Sequence, residues 1–300
     1  MLTRRGFTLV ELLVALVLLG LVSAAIYRVL VNNQRIYQAQ TQRIDLQQNI
    51  RAAVTLLPSE LRELDAADGD IVAMTATSLT VRGTRQLAFI CALPVVGVPV
   101  GAVAPVTMTI RADPFYNVRD FATATDSIFV YYEGDQGTIA DDGWLRGRIT
   151  ANIANLNCPD GTAGRQLTTS LFFGANQIAA TGRLQNGSPV RGYEPVTYSV
   201  YQAADGRWYL GYQSLSGGGV RQPLIGPLLG ANGVAFDYLD VNSAVTAVPA
   251  QVAQIRITLR AQTAAPIRTA DGPQRYVTDS IVTTVSLRNN RRWNGVAPGS

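Results

Sequence analysis

A single carboxylate sits inside a long apolar run near the N-terminus. Residues 7–26 are almost all Leu, Val, Ala, Ile or Gly; Glu11 is the one ionisable side chain among them, with Thr8 and Ser23 as the other polar interruptions. An α-helix rises about 1.5 Å per residue, so the run reaches roughly 30 Å, the hydrocarbon thickness of a bilayer. A carboxylate at that depth costs roughly 3 kcal/mol and marks a functional position that needs a partner. Unpaired, it takes up a proton or meets a cation, and the α-amine of a second chain is a cation at the right depth. Arg4 and Arg5 precede the run and keep that end cytoplasmic. Two plainer readings stay open: a signal anchor with a stray acid, and a secretory signal peptide cut near Val22-Ser23-Ala24. The acid in the apolar core, and the helical pattern that continues behind it, count against the second.

Elsewhere the inventory rules out more chemistry than it offers. The chain has no His, and all 25 basic residues are Arg. A Ser-His-Asp or Cys-His nucleophile is therefore excluded, as is any His-containing zinc site. Cys91 and Cys158 are too far apart for a CxxC motif. In an oxidising compartment they are free to pair, and a bond closing so long a loop would contribute about 4 kcal/mol; two separate buried thiols are the alternative. Asp135, Asp141 and Asp142, with Gly137 and Gly143, could ligate calcium, but the EF-hand order is absent. They read as solvated turns, like Asp68/Asp70 and Asp237/Asp240. Gly217-Gly218-Gly219 follows no strand–helix pattern and lacks a Lys, so it is not a phosphate loop. Aromatic residues such as Tyr131, Trp144, Tyr198 and Trp208 read as sheet packing. Arg291-Arg292-Trp293 reads as a solvated tail, with DNA or anionic lipid as the contact to test. No cofactor, metal or catalytic constellation is expected, so the chain reads as non-enzymatic.

These groups need elements to hold them. After residue 26 the helical pattern turns polar and Gln-rich, then shows apolar residues at Ile36, Ile44, Ile50, Val54, Leu57, Leu61 and Leu64. Steps of three or four and their doubles draw one stripe along a helix, which rests on a sheet. Pro58 should kink or restart it, with Ser59 as a local cap, and the element should end near Asp65. From residue 71 the texture is β, with strands expected at 78–81, 86–91, 106–111, 127–133 and 145–150. Residues 94–105 carry no charge and read as an extended edge or a buried loop; 152–188 read as a long loop with one strand near 170–173. A hairpin is expected at 195–201 and 208–212 across Ala203-Ala204-Asp205-Gly206. Strands at 234–241, 251–262 and 276–287 follow, and strict alternation from Gln254 to Arg260 makes one face buried and the other wet. The fold class is α+β: one long helix on an antiparallel β-rich domain. Its expected organisation is 1–6 leader, 7–26 transmembrane, 27–67 amphipathic, 68–290 globular and 291–300 tail.

Gly6-Phe7-Thr8-Leu9-Val10-Glu11, behind a short basic leader and ahead of the apolar helix, resembles the type IV prepilin signature. The resemblance implies a prepilin peptidase in the inner membrane that cuts between Gly6 and Phe7 and N-methylates Phe7. It makes Glu11 the fifth mature residue, whose carboxylate pairs with a neighbouring subunit's N-terminus during assembly. The ending, with Gly233-Val234-Ala235-Phe236-Asp237-Tyr238-Leu239-Asp240 and the alternating strand after it, resembles PilW-type minor pilins and, more loosely, the J-type pseudopilins of type II secretion. The large globular part departs from major pilins, as does the absence of a Cys near the C-terminus. The implied partners are other pilins or pseudopilins in a filament and an inner-membrane assembly platform. The implied location is a single pass in the inner membrane with the globular domain outside the cytoplasm. A DNA-uptake or adhesive tip and a signal-anchored extracytoplasmic binding domain are the rival readings.

Overall fold

The computed structural model describes residues 8–112, 116–117, 119–123, 125–134, 137, 142–172, 184–216, 218–268 and 272–288. Helix α1 (Leu9–Leu61) precedes β1 (Ile71–Met74), β2 (Ser78–Val96), β3 (Val103–Arg111), β4 (Tyr116–Asn117) and β5 (Ser127–Tyr132). Then come β6 (Gly143–Asn157), β7 (Ala163–Phe172), β8 (Pro189–Gln202), β9 (Trp208–Ser214) and β10 (Gln222–Leu228). The last are β11 (Val234–Leu239), β12 (Gln254–Gln262), β13 (Ile267–Arg268), β14 (Gln274–Arg275) and β15 (Thr278–Ser286). The architecture is α+β, a long apolar N-terminal helix packed against a large antiparallel sheet.

Only the second half of α1 meets the sheet. Leu46, Ile50, Ala53, Leu57 and Leu61 recur at steps of three and four and are buried. Ile36 and Ile44, expected on the same stripe, stay about half exposed; Ile44, two positions before the buried Leu46, lies about 200° around the helix from the face that meets the domain. Gln42 lies near the junction, its Oε1 accepting the Ala265 N–H at 3.2 Å. Pro58 does not restart the helix, which runs through it to Leu61. One turn from the end, a proline removes a single ladder bond, and the buried Leu57 and Leu61 on either side hold that turn down. The Ser59 hydroxyl donates back to the Leu56 carbonyl at 2.8 Å instead of capping a new start.

The chain builds two cores on one continuous sheet. The first lies under α1 and joins Leu79 and Val81 of β2, Val196 and Tyr198 of β8, and the inward residues of β9 to β12 and β15. The hairpin of β8 and β9 pairs as far as Gln202↔Trp208 across the expected turn, and β12 lies between β11 and β15 in unbroken register. The second core is enclosed. β2 pairs with β3, β3 with β7, β7 with β6, β6 with β5, β5 with β8, and β8 returns to β2, so six antiparallel strands form a ring. Inside it are Ala88 and Ile90, Val106 and Met108, Leu167 and Leu171, Leu145 and Ile149, Ile128 and Val130, and Val190. Side chains from all six strands fill a barrel of this size.

Two β assignments differ from the sequence reading. The expected loop at 152–188 is instead the end of β6, a tight turn and the whole of β7, followed by residues 173–183, which lie outside the description. β7 alternates, but the polar Thr169 takes the inward position between Leu167 and Leu171, which hides the period. The buried Thr169 hydroxyl donates to the Val106 carbonyl at 3.0 Å, so the polar group is satisfied inside the barrel. Residues 94–105 are the end of β2, the tip of the β2–β3 hairpin and the start of β3; Val95, Val98 and Val100 are exposed, and Ala104 is buried in the barrel.

Candidate functional site

The N-terminal half of α1 is the first candidate. Thr8 is its N-cap, and its Oγ1 accepts the Glu11 N–H at 3.3 Å while Glu11 Oε2 accepts the Thr8 N–H at 3.5 Å. This reciprocal box satisfies two of the otherwise orphaned donors of a helix start and places the acid where the helix dipole favours a negative charge. Twelve Leu, Val and Ile side chains between Leu9 and Ile26 are 53–79% exposed. Burying such a side chain contributes roughly 1.5–3 kcal/mol, so the stretch forgoes on the order of 20–30 kcal/mol in water. That exceeds the whole stability of a typical domain, about 5–15 kcal/mol, so the surface requires a lipid or protein cover. α1 is long and apolar enough to cross a membrane. The expected cleavage pair Gly6 and Phe7 lies outside the described residues.

The two cysteines come together far from this helix. Cys91 near the end of β2 and Cys158 just after β6 are joined by a disulfide, with Cα atoms 5.7 Å apart. The turn beyond it is built around Asp160, whose oxygens accept the Thr162 hydroxyl at 2.6 Å, the Thr162 N–H at 3.1 Å and Arg111 Nη2. Those bonds, the Thr162 pair first, pull the Asp160 carboxyl down to about 2. Gly161, at φ 82°, takes the left-handed conformation that lets the chain reverse.

Of the acidic pairs, Asp70 is not a solvated turn residue. Its side chain is fully buried, Oδ2 accepts Arg191 Nη2 at 2.7 Å and the Asp65 N–H at 2.9 Å, and Oδ1 has no hydrogen-bond partner among the described residues. Burial pushes its carboxyl above the usual value, against the pull of Arg191 and of Arg82. The Arg191 guanidinium lies over the rings of Phe129 and Trp144, each 5.3 Å away, and Arg82 lies over Phe129 and Tyr193. The loop after α1 is thus fastened to the outer face of the barrel. A second link runs from Glu60 on α1 to Arg85 Nη1 at 3.0 Å, and from Arg85 Nε to Glu194 on β8 at 3.4 Å. Asp240 accepts the N–H groups of Asn242 and Ala244, and Asp142 accepts the Tyr131 hydroxyl and the Gly134 N–H, each at 2.8–2.9 Å. Asp135 and Asp141 lie outside the described residues, as do Gly217 and residues 291–293.

Sequence reasoning passed over the Asp70–Arg191 clasp, which needs residues 121 apart. It also passed over Arg146 and Arg148 on β6, whose alternation with Leu145, Gly147 and Ile149 was a readable signal that both point outward.

Helix and domain together define a class: a β-rich globular unit carried on one apolar, membrane-length N-terminal helix. Residues 1–27 match the family model for the prokaryotic N-terminal methylation motif, a match that takes in the first turns of α1. The combination is consistent with a type IV pilin-like protein. No curated protein and no solved structure matches the chain.

Proposed function

We propose that this chain is a minor pilin, a structural subunit of a type IV pilus-like filament. The observation that carries the reading is the methylation motif at residues 1–27, leading directly into a continuous helix whose apolar half is bare. In this reading prepilin peptidase cuts between Gly6 and Phe7 and N-methylates Phe7. The apolar half of α1 holds the chain in the inner membrane, with the globular domain outside the cytoplasm. An assembly platform then transfers the helix from lipid into a bundle of like helices in other pilins, and both environments cover the same apolar surface. Glu11 accepts the new ammonium of a neighbouring subunit. Neutralising the buried acid with a cation removes the largest cost of placing it in the filament core. The proposed role is structural and non-enzymatic, and the size of the globular part favours a minor subunit over the filament's main one.

The mature N-terminus, read by mass spectrometry from cells with and without the peptidase, tests this reading. N-methylated Phe7 is the expected product; a mature chain beginning at Ala24 or Ala25 would overturn it. Glu11→Ala should leave membrane insertion intact and lower incorporation into sheared filaments at least fivefold, and wild-type incorporation would remove the pairing role.

A further inference from the structure

The outer face of the barrel carries cations that no described residue neutralises. On β6, Arg146 and Arg148 project outward, about 7 Å apart along the strand. Neither guanidinium has an ion-pair or hydrogen-bond partner among the described residues, whereas Arg191 nearby is held by Asp70 and stacked on rings. Strand register shows what surrounds them. Arg148 lies between Ser127 of β5 and Ser170 of β7, and Tyr193 of β8 is next in that row. Arg146 lies between Phe129 and Phe172, with Val103 of β3 beyond. Directly opposed residues on antiparallel strands share a face, so these two rows are adjacent on one surface. They line an open depression of about 400 Å³. The Ser127 and Ser170 hydroxyls are free among the described residues, and Phe172 is half exposed beside the arginines.

We propose that this face of the barrel binds an acidic saccharide, a sugar chain bearing carboxylates. Each guanidinium is a planar fork that fits a carboxylate in two parallel hydrogen bonds. Their spacing is of the order of one pyranose residue, so consecutive acidic sugars meet consecutive arginines. The two serine hydroxyls donate to and accept from ring hydroxyls, and the Phe172 ring offers an apolar wall to the hydrogen-bearing face of the sugar. A phosphate-tracking nucleic-acid groove differs in scale, typically neutralising roughly 6–10 phosphates; two free cations flanked by hydroxyls suit a short, flat, hydroxylated ligand better.

The test uses the full chain in detergent micelles and calorimetric titration with oligogalacturonate, with its methyl ester as the uncharged counterpart. Oligogalacturonate should bind at least tenfold more tightly than the ester. Arg146→Ala with Arg148→Ala should abolish that preference, while Arg256→Ala with Arg260→Ala, two exposed arginines on β12, should preserve it. Should the double barrel variant melt early, Arg148→Gln, which keeps an amide donor at the same place, repeats the reading. Equal binding of acid and ester, or equal loss in the β12 variant, would overturn the site. A DNA duplex that binds more tightly than the saccharide and is lost in the same barrel variant would overturn the ligand class.

Discussion

Single side chains carry unequal weight in this molecule, and two carboxylates show why. Asp70 is buried against Arg191, so removing it strands a buried guanidinium. Loss of one partner from a buried pair typically costs about 3–5 kcal/mol. Asp70→Ala should therefore lower stability by about that amount in urea unfolding, and a change under 1 kcal/mol would show that the clasp is ornamental. Asp160 is exposed and acts through pH. Its folded carboxyl lies at about 2 against an ordinary 3.8, so its contribution is complete above 3.8 and is lost as pH falls toward 2. Asp160→Asn should flatten the fall in melting temperature across that window and leave the profile above pH 5 unchanged. Chain order shows neither role. Asp68-Gly69-Asp70 reads as an ordinary turn, and only the arrival of β8 makes its second acid a buried partner.

At the scale of elements, local pattern was legible wherever a segment has one wet and one dry face. Gln254 to Gln262 alternates strictly, and the structure pairs β12 on both edges with alternate residues buried. The β8–β9 hairpin was equally plain, because Asp205-Gly206 supplies the turn. β7 was missed because a threonine occupies the inward position between Leu167 and Leu171, which an apolar count overlooks. The helix stripe was legible from Ile50 to Leu61, but its continuation was misplaced: the face that meets the domain runs through Gln42 and Leu46, and Ile44 lies on the other side. That difference is measurable. Leu57 is 1% exposed and Ile44 52%. Leu57→Ala should cost about 2–5 kcal/mol and loosen the end of α1 to protease, while Ile44→Ala should change stability by less than about 0.5 kcal/mol. Equal costs would mean that Ile44 packs as closely as the buried face does.

The molecule as a whole has two cores, and closure of the barrel was beyond the sequence because it depends on β2 meeting β8, more than a hundred residues later. Both strands run through both cores, Leu79 and Val81 serving the helix side and Ala88 and Ile90 the barrel. Continuous strands and the Glu60–Arg85–Glu194 link argue for one cooperative unit. The disulfide argues for a partition, because it ties β2 to the β6–β7 turn and touches only the barrel. A bond across a sequence separation of 67 constrains the unfolded chain by about 4 kcal/mol in the loop-entropy model. Its loss should therefore fall where unfolding can be local. Reduction is expected to speed amide exchange by about a thousandfold in β3, β6 and β7, while β11, β12 and β15 keep their protection. A uniform rise across all strands would show instead that the shared β2 and β8 transmit the loss, and that helix-bearing sheet and barrel open together. The local outcome gives the filament reading a physical basis. The half that holds α1 would then stay folded while the barrel, with its free arginines, opens on its own.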